Sequence, residues 1–197
     1  ERLLDVCTGT ADVAMAGARA RAGAGRVVGV DFAGAMLARG LAKVRAGALD
    51  ARVTLVRGDA MRLPVADASV EAVTMAFGIR NVEQPEVACA ELWRVLRPGG
   101  RLAILEFGLP IVPAVRPLYL WYFEHVLPRI GRAVSRHHTA YEYLPQSVGR
   151  FPFGDAFGRI LTATGFSQVA ATPLSMGIVY LYSARKPGES TGRVILS

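Results

Sequence analysis

Five short strand-like runs recur along residues 3–106, each ending in small or acidic residues and separated from the next by a helical or loop segment. They are Leu3–Val6, Arg26–Asp31, Val53–Val56, Val70–Ala76 and Arg101–Glu106. Between them, Val13 to about Arg21, Ala33 to about Ala46 and Pro85–Leu96 carry apolar residues at helical spacing. In the second of these segments the periodic residues are Met36, Leu37, Leu41 and Val44; in the third they are Val87, Leu92, Val95 and Leu96. Arg97-Pro98-Gly99-Gly100 is a sharp stop for the third helix. Strands alternating with helices specify an α/β fold built on a mainly parallel, doubly wound sheet. Asp155–Thr164 reads as a further helix closed by Gly165. Gln168–Pro173 and Gly177–Arg185 then form two last strands, antiparallel to each other, which makes seven.

In such a sheet, ligands bind outside the carboxyl ends of the strands, where the strand order reverses. Asp5 lies in the first strand, and the residues at or just beyond the strand ends are Thr8–Thr10, Asp31, Asp59-Ala60, Phe77–Asn81 and Glu106–Gly108. Any one of these acids alone reads as a helix cap or a solvated loop residue. Their recurrence at successive strand ends points to a site. Gly9 lets the backbone approach a ligand closely, and Thr10 or Asp12 is placed to cap the following helix. One glycine is too few for the G-x-G-x-x-G cradle of a pyrophosphate. Asp31, ending the second strand, suits a ribose diol, whose two hydroxyls a carboxylate can accept together. A phosphate-free adenosine ligand, S-adenosylmethionine, therefore fits better than a dinucleotide. Asp31 would take its ribose, Asp59 its adenine and the Asp5–Thr10 turn its amino-acid end.

The totals bound the rest. The chain has 197 residues, 52% of them hydrophobic, enough for one domain with a substantial core. Cys7 and Cys89 are the only cysteines, without a C-x-x-C, which argues against a disulfide scaffold or structural zinc and suits a reducing cytoplasm. No apolar run approaches the roughly 18–20 residues that span a bilayer. The net charge is +7, and most of the excess lies in residues 111–197, with 9 basic against 4 acidic residues. With only two lysines, Lys43 and Lys186, and no basic run, a nucleic-acid partner is not expected. The surplus suits an anionic membrane surface or plain solubility. Residues 1–187 read as a single domain and 188–197 as a disordered tail. The sequence opens inside the first strand, so a helical segment is expected to precede it.

Residues 110–154 break the alternation with an aromatic, basic, proline-punctuated stretch too long for an ordinary connection, expected to form helices covering the ligand edge. It holds Tyr119–Phe123, His125, His137, His138 and Tyr143. The Tyr119–Phe123 aromatics read first as core and second as a groove for an apolar tail.

Several words in this sequence are more specific. They are Leu4-Asp5-Val6-Cys7-Thr8-Gly9-Thr10-Ala11-Asp12, Gly29-Val30-Asp31-Phe32, Gly58-Asp59-Ala60-Met61-Arg62-Leu63-Pro64, Phe77-Gly78-Ile79-Arg80-Asn81-Val82, Arg94-Val95-Leu96-Arg97-Pro98-Gly99-Gly100, Val126-Leu127-Pro128-Arg129-Ile130-Gly131 and Tyr141-Glu142-Tyr143-Leu144. On them the chain resembles the UbiE/COQ5/MenG family of S-adenosylmethionine-dependent quinone C-methyltransferases, over nearly its whole length to about Pro187. The Phe-Gly-Ile-Arg-Asn and Val-Leu-Pro-Arg-Ile-Gly words are the most particular to that family.

The resemblance implies a Rossmann-like class I methyltransferase with an antiparallel last strand and a helical cover insertion. It implies cofactor contacts from Asp5, Gly9, Thr10, Asp31, Phe32, Asp59, Ala60 and Ala76, although some members have Ser where Ala76 stands. It implies methyl transfer to a ring carbon of a polyprenyl quinol, with no metal. Demethylmenaquinol is the first choice and a ubiquinone-pathway quinol or another lipid the second. A non-catalytic S-adenosylmethionine-binding protein is the rival from another class; retention of Arg80, Asn81 and Asp31 argues against it. Arg80 would steady the developing oxyanion, with Asn81 beside it and Tyr143 the leading base. The bland reading of Arg80 is a structural ion pair with a helix acid. A cytoplasmic enzyme that touches the inner face of the membrane is expected, with a homodimer held open.

Overall fold

The computed structural model describes residues 2–20, 25–110, 112, 115–121 and 151–188. Seven strands form one sheet: β1 (Arg2–Val6), β2 (Arg26–Asp31), β3 (Val53–Arg57), β4 (Val70–Ala76), β5 (Leu96–Phe107), β6 (Ser167–Leu174) and β7 (Val179–Arg185). Their spatial order is β3-β2-β1-β4-β5-β7-β6. The first five pair in parallel, and β7 runs antiparallel to both β5 and β6. The described helices are α1 (Asp12–Ala20), α2 (Gly34–Ala46), α3 (Pro85–Val95), α4 (Val115–Trp121) and α5 (Asp155–Ala163). The seven strands and the antiparallel end of the sheet are those expected from the sequence.

Leu3 to Val6 are all buried, because a central strand is covered on both faces. The larger core joins Leu4, Val6, Val73, Met75, Leu92, Leu96, Ile104, Phe157 and Tyr182. A smaller one on the α1 side joins Leu3, Ala14, Ala18, Val27, Val44 and Val53. The chain turns outward from β1 to β2 and β3 in one direction and to β4 and β5 in the other. The reversal therefore falls between β1 and β4, and the cleft lies at their carboxyl ends.

Four local expectations are corrected. In α2 the buried residues are Gly40 and Val44, whereas Met36 and Leu41 are 38% and 39% exposed. Gly40 explains this: an added Cβ would stand 3.2 Å from the Thr10 carbonyl carbon, so the helix packs through its glycine and turns the larger residues outward. In α3, Val87 is exposed and Ala88, Cys89, Leu92 and Val95 are buried. The Arg97–Gly100 turn lies within β5 rather than ahead of it. Leu96 pairs with Val70, and the register then shifts to Ala72 against Arg101, held by Lys186 N donating to Gly100 O at 3.0 Å. Gly177 closes a short 3-10 turn (Ser175–Gly177) before β7 rather than starting the strand.

Candidate active site

The β1–α1 turn is shaped by three left-handed residues, Cys7 (φ 55°), Gly9 (φ 55°) and Ala11 (φ 67°). Asp5 lies behind this turn, 1% exposed. It accepts from Thr8 Oγ1 and from Thr74 Oγ1, each at 2.6 Å, and so ties the turn to β4. Burial raises its pKa, opposed by those two hydrogen bonds. Thr10 does not supply a helix cap. Its hydroxyl donates to Asp12 Oδ2 at 2.7 Å and accepts from Lys43 Nζ at 2.9 Å, in an exposed ion pair that joins α1 to α2. The first bond of α1 runs from Met15 N to Ala11 O.

A cavity of about 670 Å³ opens at the carboxyl ends of β1, β2 and β4. Gly9, Asp31, Phe32, Asp59, Ala60, Ala76 and Asn81 line it, and with them Cys7, Met36, Phe77 and Glu83. Asp31 Oδ2 accepts from Gly9 N and Oδ1 from Ala33 N, both at 2.8 Å, so the carboxylate is preset across the mouth of the turn. Phe32, 70% exposed, stands on the rim with the Arg57 guanidinium 5.8 Å from its ring centre. Asp59 Oδ1 accepts from Met61 N at 2.9 Å and folds its own loop. Among the described residues, the lining carries three carboxylates, Asp31, Asp59 and Glu83, and no Lys or Arg. Burial, with Asp31 next in effect, pushes the Cys7 thiol up to about 12, so it is no thiolate at neutral pH.

Asp5, Thr10 and Arg80 are not among the lining residues. Arg80 is paired, though with a strand acid rather than a helix acid. Its Nη1 stands 2.6 Å from Oε1 of Glu106 at the end of β5, with the two side chains 9% and 0% exposed. Its Nε is buried without a hydrogen-bond partner among the described residues. Gly78 is where the loop carrying Arg80 crosses β1: a Cβ there would lie 2.4 Å from Cys7 Cβ. Tyr143, His125, His137 and His138 lie outside the described residues. Sequence reasoning took Met36 for core, gave Glu83 no role, and counted Cys7 and Glu106 only as members of strand-end segments. Helical spacing alone does not tell a residue facing the core from one lining a cleft.

A second cavity, about 710 Å³, runs along the sheet face beside α1 between Leu3, Val13, Gly17, Ala72 and Ser183. It has no carboxylate among its described lining residues and lies away from the strand ends where the acids gather.

The strand order and the acid-lined cleft define a class I methyltransferase fold. Solved structures agree on the fold: an S-adenosylmethionine-dependent methyltransferase from Aquifex aeolicus matches with TM-score 0.68 at 19% identity, over 94% of this chain and 81% of that one. The [4+2]-cyclase SpnF matches with TM-score 0.72 at 20% identity, over 95% and 74%. That neighbour is a cyclase, so the fold by itself leaves the chemistry open. The sequence narrows it: the chain belongs to the ubiE/COQ5 methyltransferase family, whose pattern matches residues 1–186. It is 44% identical to a demethylmenaquinone methyltransferase of Deinococcus radiodurans over 94% of this chain and 75% of that protein. It is 42% identical to one of Thermus thermophilus, over 95% and 83%. It is 40% identical to the ubiquinone/menaquinone biosynthesis C-methyltransferase UbiE of Roseobacter denitrificans, over 94% and 74%.

Proposed function

We propose that this chain transfers a methyl group from S-adenosylmethionine to a ring carbon of demethylmenaquinol, giving menaquinol. The observation that carries the donor is the set of carboxylates lining the cleft: Asp31, Asp59 and Glu83, with no cationic side chain among the described lining residues. Such a cleft attracts a sulfonium and repels the phosphates of a dinucleotide. Asp31 would hold the ribose diol, with Phe32 on the rim beside it. Asp59 and Ala60 would meet the adenine, and the Gly9 turn the methionine end. Asp5 and Thr10 would act by shaping that turn. Bound there, the donor supplies an electrophilic methyl group.

The residues of the chain then have three tasks. Phe77 and Asn81 line the same cleft just beyond β4 and would seat the acceptor ring against the donor at a reactive contact of roughly 3–3.5 Å. Asn81 and the unspent Nε–H of Arg80 would stabilise negative charge on the acceptor oxygen next to the carbon that is methylated. A base, for which Tyr143 is the first choice, would take the ring proton.

Menaquinone chemistry is favoured by relatives named as demethylmenaquinone methyltransferases, those of Deinococcus radiodurans and Thermus thermophilus among them. UbiE relatives carry the ubiquinone pathway as the second reading. Product analysis by mass spectrometry, with demethylmenaquinol and a demethylated polyprenyl benzoquinol as separate acceptors, decides between them. Methylation of the first alone supports the proposal, and methylation of neither overturns it.

No helix among the described residues is long and apolar enough to cross a membrane. Peripheral contact with the inner face of the cell membrane belongs to the same proposal. It is supported by exposed Val112, Arg116 and Trp121 at the start of the basic segment. Flotation with anionic liposomes and not with neutral ones is the expected result; absence from both rejects it.

A further inference from the structure

The loop that carries Arg80 and Asn81 is held from behind by a carboxylate that the proposed reaction does not use. Glu106, next to last in β5, has no exposed surface. Its Oε1 accepts from Arg80 Nη1 at 2.6 Å and from Phe107 N at 2.8 Å. Its Oε2 accepts from the backbone N of Arg80 at 3.2 Å. One carboxylate thus grips the side chain and the backbone of the same loop residue. The same Nη1 also donates to Phe77 O at 2.9 Å, and the guanidinium carbon lies 5.1 Å from the Phe107 ring centre. Phe107 in turn packs on Phe77 with ring centres 4.5 Å apart, and Phe77 is held left-handed at φ 55°.

Taking two charges out of water is costly, and an apolar pair of similar volume often holds a fold as well or better. A buried ion pair at this place therefore asks what the charge does. Two observations answer. Arg80 keeps a buried Nε donor that the described residues do not use, and its neighbour Asn81 lines the cleft.

We propose that Glu106 is a positioning residue. It fixes the Arg80 guanidinium and the Phe77–Asn81 backbone so that Asn81 and the Arg80 donor left unused by the described residues meet the acceptor oxygen. This rests on the reading of the cleft as a methyl-transfer site.

The test compares Glu106→Gln, which keeps shape and loses charge, with Glu106→Asp, which keeps charge and loses reach. Turnover of demethylmenaquinol, donor affinity by calorimetry and hydrogen exchange of a peptide spanning residues 77–82 are measured for each. For Glu106→Gln, kcat falls at least tenfold while donor Kd stays within threefold, and loop exchange quickens at least tenfold. Glu106→Asp is intermediate, three- to tenfold down in kcat. In an Arg80→Ala background, Glu106→Gln adds less than twofold, because both act through one contact. Additive losses overturn the proposal, as does a loss of donor binding parallel to kcat, or wild-type kcat with unchanged loop exchange. If Glu106→Gln does not fold, Glu106→Asp decides: an intermediate kcat at unchanged donor Kd supports the proposal, and wild-type kcat overturns it. Wild-type turnover of the quinol tests the functional reading separately; where it fails, loop exchange and donor affinity still decide the clamp.

Discussion

Asp31 shows how a single side chain can serve both the fold and the ligand. Its two oxygens each take a backbone N–H, from Gly9 and Ala33, which sets the carboxylate before any ligand arrives. A ribose diol would use the remaining lone pairs. Replacing Asp31 by Ala is expected to cost about 2–3 kcal/mol of donor binding, roughly 30- to 150-fold in Kd. Calorimetry with S-adenosylmethionine measures this directly, and a Kd within threefold of wild type would remove Asp31 from the site. Asp5 was equally visible in the sequence, yet its carboxylate is spent on Thr8 and Thr74 behind the turn. The difference is that Asp31 stands at the end of its strand, whereas Asp5 stands one residue inside its own.

At the scale of elements, the loops beyond the strands are held by side chains from other segments. Arg94 on α3 donates to Glu91, Asp67, Val65 O and Leu63 O, while Glu91 Oε2 accepts from Leu63 N. This clamp fastens the connection that begins with Asp59 and Ala60. The Arg94 hydrogen bond holds the Glu91 carboxyl below its ordinary value of 4.5. A depressed folded pKa adds stability above the unfolded pKa and loses it as pH falls through the folded one. Glu91→Gln is therefore expected to cost about 1–2 kcal/mol at pH 7, discounted for partial exposure, with the gap to wild type closing as pH falls below the ordinary carboxyl value. Urea titrations at several pH values show this, and a gap that persists unchanged at acid pH contradicts the ion-pair account. The Gly78 crossing is tighter still. Gly78→Ala forces a Cβ against Cys7 and should destabilise the chain by about 1–3 kcal/mol. Equilibrium unfolding within 0.5 kcal/mol of wild type, a range typical of neutral surface substitutions, would mean that the loop yields freely.

For the molecule as a whole, the sheet order brings residues from β1, β2, β3 and β4 to one cleft although they lie some seventy positions apart. A ligand that grips all these loops binds only the folded chain. At a donor concentration of about 100 times Kd it should add about 2.7 kcal/mol to stability. For a chain of this size that raises Tm by roughly 5–10 °C. Differential scanning fluorimetry with S-adenosylmethionine tests it, with NADH as the control that should have no effect. A shift with NADH and none with S-adenosylmethionine would reverse the choice of ligand.

By itself, the sequence determined the alternation of strands and helices, the seven strands, the position of the cleft and the acids at strand ends. These depend on periodicity and on turn chemistry, which are local. It also carried the words of the family. What only the tertiary structure decided is which side chains are free to act. Leu41 and Val87 share the helical spacing of core residues but face outward, because Gly40 and Ala88 occupy the close contacts. Thr10 is engaged by Lys43 from 33 residues away. Arg80 is met by Glu106, 26 residues further on, at the end of the neighbouring strand. Such pairings depend on which strands lie side by side, and the β1–β4–β5 adjacency is set by the sheet rather than by any segment within it.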